Sequence, residues 1–124
     1  MSNKPAILYV DDEEANLLLF QISFAGDREV LIADSPEKAL KTLEENKERI
    51  KAVISDMNMP VMNGIQFIER AQETLKGIPY FILSGYAYNN EIDQALQQKT
   101  IQRFFTKPFD RGEINDCLKG ASGF

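Results

Sequence analysis

The chain contains no histidine and no tryptophan, and a single cysteine among its 124 residues. The missing histidine removes Ser-His-Asp and Cys-His catalysis, His-ligated zinc and a histidine phosphocarrier in one step. One cysteine, Cys117, cannot form an internal disulfide, which fits a reducing compartment. Long apolar runs are absent too: the longest spans five residues, 6–10, against the ~20 that a transmembrane helix needs. The N-terminal Met-Ser-Asn-Lys-Pro lacks the apolar core and small-residue cleavage site of a signal peptide, so a cytoplasmic protein is expected. Basic residues are in the minority, 14 against 19 acidic, and the net charge of −5 argues against a surface for nucleic-acid phosphates. Neither G-x-G-x-x-G nor G-x-x-x-x-G-K-[ST] occurs, so nothing is built to cradle a diphosphate. Whatever chemistry exists is limited to carboxylates, hydroxyls and lysines, with or without a hard metal.

What is present alternates regularly. Apolar segments at 6–10, 30–33, 52–55, 80–83 and 103–105 are nearly continuous in hydrophobic residues, the pattern of strands buried on both faces. Between them lie helical patterns. Leu18, Ile22 and Ala25 form the expected inward stripe of the first, with Gly26 as its stop. Asp34-Ser35-Pro36 caps a second, with Ala39, Leu40 and Leu43 inward. Gly64 opens a third, carrying Ile68, Ala71 and Leu75 and closed by Gly77. Ile92, Ala95 and Leu96 mark a fourth helix, and Ile114, Cys117 and Leu118 a fifth. Five such units predict an α/β fold, a doubly wound (βα)5 with a five-stranded parallel sheet and helices on both faces. No linker or repeat interrupts it, so residues 1–124 are expected to form one domain with a core at about 4–119.

In open parallel sheets, ligands bind beyond the carboxyl ends of the strands. That edge collects Asp11 and Asp12 after the first strand and Asp56 after the third, with Ser84 after the fourth and Lys107 after the fifth. Converging carboxylates repel and raise one another's pKa unless a cation sits among them. Oxygen ligands without His or Cys suit Mg²⁺. Such a pocket, with a hydroxyl and an ammonium, can offset the charge on a transferring phosphoryl group, and a carboxylate there can be the nucleophile. A calcium loop starting at Asp56 fails, because its sixth position is Val61 where glycine is required. Lys107-Pro108 restricts the lysine to an extended conformation and allows a cis peptide. Asn16, Asn63, Met57, Met59 and Met62 read as turn and packing residues, and Cys117 as a packing residue of the last helix. Phe104 and Phe105 both read as core by default.

The stretches "LYVDDEE", "VISDMNMPVMNG", "FILSG" and "FFTKPF" together resemble the response regulator receiver domain of two-component signalling, of the CheY-like, flavodoxin-like type. The resemblance runs from about Lys4 to Leu118. It implies that Asp56 accepts a phosphoryl group from a phosphohistidine of a sensor kinase or phosphotransfer protein. It implies a Mg²⁺ (or Mn²⁺) site made by Asp12 directly, Asp11 chiefly through water, Asp56, and the backbone carbonyl of Asn58. Ser84 and Lys107 would bind the phosphoryl group, and Phe104 would turn inward as Ser84 moves. The switched surface would be that of the fourth helix, fifth strand and fifth helix, read by a downstream protein or output domain. Asn58 and Tyr86 would flank the path of the hydrolytic water, with bulky Tyr86 slowing dephosphorylation. The resemblance points to a signalling module and not an enzyme, with no direct nucleic-acid or membrane contact. The competing reading, a Mg²⁺-dependent aspartyl-phosphate phosphatase or phosphotransferase, lacks its D-x-D nucleophile motif and any cap-domain insertion.

Overall fold

The computed structural model describes residues 4–26, 28–85 and 89–120. Five strands and five helices alternate along them: β1 (Ala6–Val10), α1 (Glu14–Phe24), β2 (Glu29–Ala33), α2 (Pro36–Glu45), β3 (Ile50–Asp56), α3 (Gly64–Thr74), β4 (Tyr80–Ser84), α4 (Asn90–Gln97), β5 (Arg103–Thr106) and α5 (Arg111–Lys119). All strands are parallel, in the order β2-β1-β3-β4-β5. The chain leaves β1 towards one edge and returns at β3 on its other side, so the topological switch point lies between β1 and β3. The expected doubly wound sheet is therefore the one formed, with β3 beginning two residues before the apolar pattern suggests. No helix among the described residues is long and apolar enough to cross a membrane.

Alternation along the strands sorts the core into two layers. Leu8, Val10, Val53 and Ile82 pack with Ala39 and Leu43 of α2, with Phe67, Ile68 and Ala71 of α3, and with Ile92 and Ala95 of α4. Ile7, Tyr9, Ile54, Phe81, Leu83 and Phe105 face α1 and α5 through Leu17, Phe20, Phe24, Ile114 and Leu118. Phe105 is thus core, while its neighbour Phe104 lies on the opposite face, half-buried.

The starts of α2, α3, α4 and α5 are set by short polar side chains. Ser35 Oγ accepts from Lys38 N at 3.2 Å, Asn89 Oδ1 from Ile92 N at 2.9 Å, and Asp110 Oδ1 from Glu113 N at 3.0 Å. Asn63 and Gln66 form a reciprocal capping box on α3, each bond 2.9 Å.

The inward stripe of α1 differs from the expected one. Leu17, Phe20 and Phe24 are buried, while Leu18 is 47% and Ile22 77% exposed, and Ala25 lies past the helix end, exposed. From Ala15 to Phe24 the helix carries no charge, so two apolar stripes of helical period compete. The aromatic one prevails because it fits the sheet: Tyr9 stacks on Phe20 at 4.2 Å, and Phe20 meets Phe24 at 4.5 Å and Phe109 at 5.6 Å.

Candidate functional site at the carboxyl edge of the sheet

Register builds the site. Val10 pairs with Ser55, so Asp11 and Asp56 are the next residues of two adjacent strands. Asp56 pairs with Leu83, and Ser84 with Thr106, which brings Lys107 to the same edge. The Lys107 amide donates to the Ser84 carbonyl at 2.9 Å, and the Lys107-Pro108 peptide is cis. Behind Asp56 the chain turns sharply: Gly64 N donates to Met57 O at 2.8 Å, closing the β3–α3 loop onto the strand end. Space explains the glycine. A Cβ on Gly64 would lie 2.8 Å from Ile82 Cδ1 and closer still to the Asp56 carbonyl.

Asp11, Asp12 and Asp56 each offer an oxygen lying within 4.8 Å of the others. Asp11 is fully buried, Asp56 nearly so, and Asp12 exposed. Lys107 spans two of them, with Nζ 2.8 Å from Asp11 Oδ2 and 3.5 Å from Asp56 Oδ1. Burial pushes the Asp56 carboxyl upward; Lys107 pulls it down, Asp11 pushes it up again, and the net shift is upward. For Lys107, burial pulls the ammonium down, but its bond to Asp11 and the charges of Asp56 and Asp11 outweigh this, and its pKa rises. Two of the three carboxylates, Asp11 and Asp56, thus hold a cation already, in the form of an ammonium. An all-oxygen donor set, two members buried and one open to solvent, also fits a hard divalent ion. Asp12, Asn16, Asn58, Asn63 and Gly85 line the cleft of about 470 Å³ in front of Asp56 and Lys107.

Of the residues singled out in the sequence, Asp11, Asp12, Asp56 and Lys107 meet directly, Asn58 lines the cleft, and Ser84 ends β4 fully buried. Phe104 sits two register positions behind Thr106, beside Ile82 of β4. Tyr86 lies outside the described residues. Two of the packing residues do more than pack: Asn63 caps α3, and Asn16 faces the cleft. Cys117 is half-buried on α5, its sulfur accepting from Arg103 Nη1 at 3.2 Å.

One participant escaped the sequence reading. The Tyr9 hydroxyl donates to Asp11 Oδ2 at 2.7 Å, and the phenol pKa is pushed far up, first by burial and then by that bond. A signal existed: Tyr9 lies two residues before Asp11 on a strand, hence on the same face, and a buried phenol needs an acceptor.

The response regulator receiver domain model matches residues 7–119. The chain therefore belongs to the response regulator receiver domain family. It is 32% identical over 123 residues to the transcriptional regulatory protein GlrR of Escherichia coli K12, covering 98% of this chain and 27% of that one. It thus spans about a quarter of that regulator's length. With the sporulation initiation phosphotransferase F of Bacillus subtilis 168 it shares 31% identity over 116 residues, covering 91% of this chain and 90% of the other. Among solved structures, the receiver domain of an HD domain-containing protein from Pseudomonas fluorescens Pf-5 superposes with a TM-score of 0.86 at 26% identity, covering 95% and 94% of the two chains. Vibrio cholerae CheY4 gives 0.80 at 27%, covering 94% and 97%.

Proposed function

We propose that Asp56 accepts a phosphoryl group from the phosphohistidine of a sensor kinase or phosphotransfer protein, and that this resets a partner-binding surface. The observation that carries this is the clustering of Asp11, Asp12 and Asp56 within 4.8 Å, with the Lys107 ammonium bridging Asp11 and Asp56. A relative matched along nearly its whole length bears the name of a phosphotransferase, which supports the same reading.

Asp56 is the nucleophile, because it faces the cleft at the end of β3 while Asp11 is sealed beneath it. One of its carboxylate oxygens forms a bond to phosphorus as the phosphorus–nitrogen bond of the donor breaks. The imidazole leaves with the electron pair and takes a proton from solvent. Asp12, Asp11, Asp56 and the Asn58 carbonyl would hold Mg²⁺ or Mn²⁺, which would supply positive charge to balance the crowded carboxylates and the phosphoryl group. Lys107 lets go of Asp56 and Asp11 and pairs with a phosphoryl oxygen, and the Ser84 hydroxyl donates to another. Ser84 and Lys107 are tied through backbone, so a shift at β4 reaches β5 and Phe104. The face of α4, β5 and α5 then presents two arrangements of different partner affinity.

The test is incubation with Mg²⁺ and a small acyl-phosphate donor, followed by intact-mass measurement. The wild type should gain one phosphoryl group, and neither Asp56→Asn nor the wild type in chelator should do so. A gain that persists in Asp56→Asn contradicts the assignment.

A further inference from the structure

Asp11 is fully buried, and its carboxylate is held on both oxygens. Oδ1 accepts from the Glu13 amide at 3.0 Å, and Oδ2 accepts from Tyr9 Oη at 2.7 Å and Lys107 Nζ at 2.8 Å. The two Oδ2 donors differ in kind. Lys107 is a flexible chain, 21% exposed and shared with Asp56. Tyr9 is 1% exposed, and its ring lies 4.2 Å from Phe20 at an interplanar angle of 14°. Phe20 in turn is braced by Phe24 and Phe109. A phenol on such a stack has nowhere else to point.

We propose that Tyr9 is a positioning residue of the divalent-cation site, its hydroxyl fixing Asp11 so that Lys107 can leave for the phosphoryl group. This rests on the function proposed above. If Lys107 were the sole donor to Oδ2, each departure of the ammonium would leave that buried oxygen without a partner and Asp11 held only through Oδ1 by the Glu13 amide, and the site would loosen as it is used. The Tyr9 hydroxyl keeps one donor on Oδ2 throughout. Outer partners of metal-holding carboxylates act in this way, and losing one typically weakens metal affinity about 10–100-fold.

Phenylalanine at this position keeps the stacking and deletes the one hydroxyl. The experiment is a calorimetric titration with Mg²⁺ alone of wild type, Tyr9→Phe, Asp56→Asn and Tyr80→Phe, each checked for folding by urea denaturation. Tyr80 is a control: a buried phenol donating to the Leu75 carbonyl, away from the cleft. Tyr9→Phe should bind Mg²⁺ about tenfold more weakly, the lower end for an outer partner, while Tyr80→Phe matches the wild type in affinity. Equal affinity in Tyr9→Phe and wild type overturns the inference and leaves the proposed function standing. Absence of Mg²⁺ binding in the wild type, or binding untouched by Asp56→Asn, overturns both. Should Tyr9→Phe not fold, the tyrosine absorption difference on adding Mg²⁺ decides. Wild type and Tyr80→Phe should show the same perturbation of a buried phenol, and its absence from both would refute the role of Tyr9.

Discussion

Gly64→Ala inverts the ordinary consequence of replacing a glycine at a helix start. Gly64 has no positive φ, so its backbone suits alanine, and the smaller conformational entropy of the unfolded chain would favour the variant by about 0.4–1 kcal/mol. Against this stands the added methyl, 2.8 Å from Ile82 Cδ1 and pressed on the Asp56 carbonyl. Ile82 can give a little, but the Asp56 carbonyl is backbone and already accepts from Ser55 Oγ at 2.8 Å. Overpacking of this kind costs about 1–3 kcal/mol. The net is a destabilisation of about 1–2 kcal/mol, or a fall in Tm of roughly 4–8 °C for a chain of this size. Gly120→Ala is the reference. Gly120 has helical backbone angles and its nearest contact for a Cβ is an ordinary 3.6 Å, so that variant should be unchanged or slightly more stable. Thermal unfolding followed by circular dichroism reads both. A Gly64→Ala protein as stable as Gly120→Ala would refute the close approach that seats Asp56.

Asp56→Asn should be more stable than wild type at neutral pH, by urea midpoint. The folded Asp56 pKa lies above its ordinary 3.8, so between those values the folded state binds the proton more tightly than the unfolded. Wild-type stability therefore falls as pH rises through that window, and the variant's advantage should shrink as pH drops towards 3.8. An advantage that grows in acid would contradict the buried, crowded carboxylate. In α1, Phe20→Ala should cost about 3–5 kcal/mol, as core aromatics do, whereas Ile22→Ala should stay within about 0.5 kcal/mol; equilibrium unfolding of the two variants separates the stripes. Val61, 91% exposed at a φ of 77°, is a β-branched residue in left-handed backbone. Val61→Asn should raise stability by about 1 kcal/mol in the same assay.

The sheet and its polar edge were legible because their signals are local. Short apolar runs alternating with helical patterns read as strands covered on both sides, and each of Asp11, Asp56, Ser84 and Lys107 ends or follows one. Gly64 was readable as a helix start, though its reason, the approach to the Asp56 carbonyl, is tertiary. The face of α1 was not legible, since a helix uncharged beyond Glu14 offers two apolar stripes and the choice depends on which aromatics meet Tyr9. Phe104 and Phe105 could not be told apart until β5 had a register, which sends Phe105 to the α1–α5 layer. Tyr9 passed as one more strand residue because its role depends on the reach of a hydroxyl to Asp11, a distance that spacing suggests but does not give.

The most direct test of the central claim is chemical mapping of the modified residue. Wild-type protein treated with a small acyl-phosphate donor and Mg²⁺, then reduced with borohydride and fragmented, should carry its mark at Asp56. The mark should be missing when Mg²⁺ is chelated. Reduction at Asp11 or Asp12, or labelling of equal extent without the metal, would contradict the assignment of Asp56 as the phosphoryl acceptor.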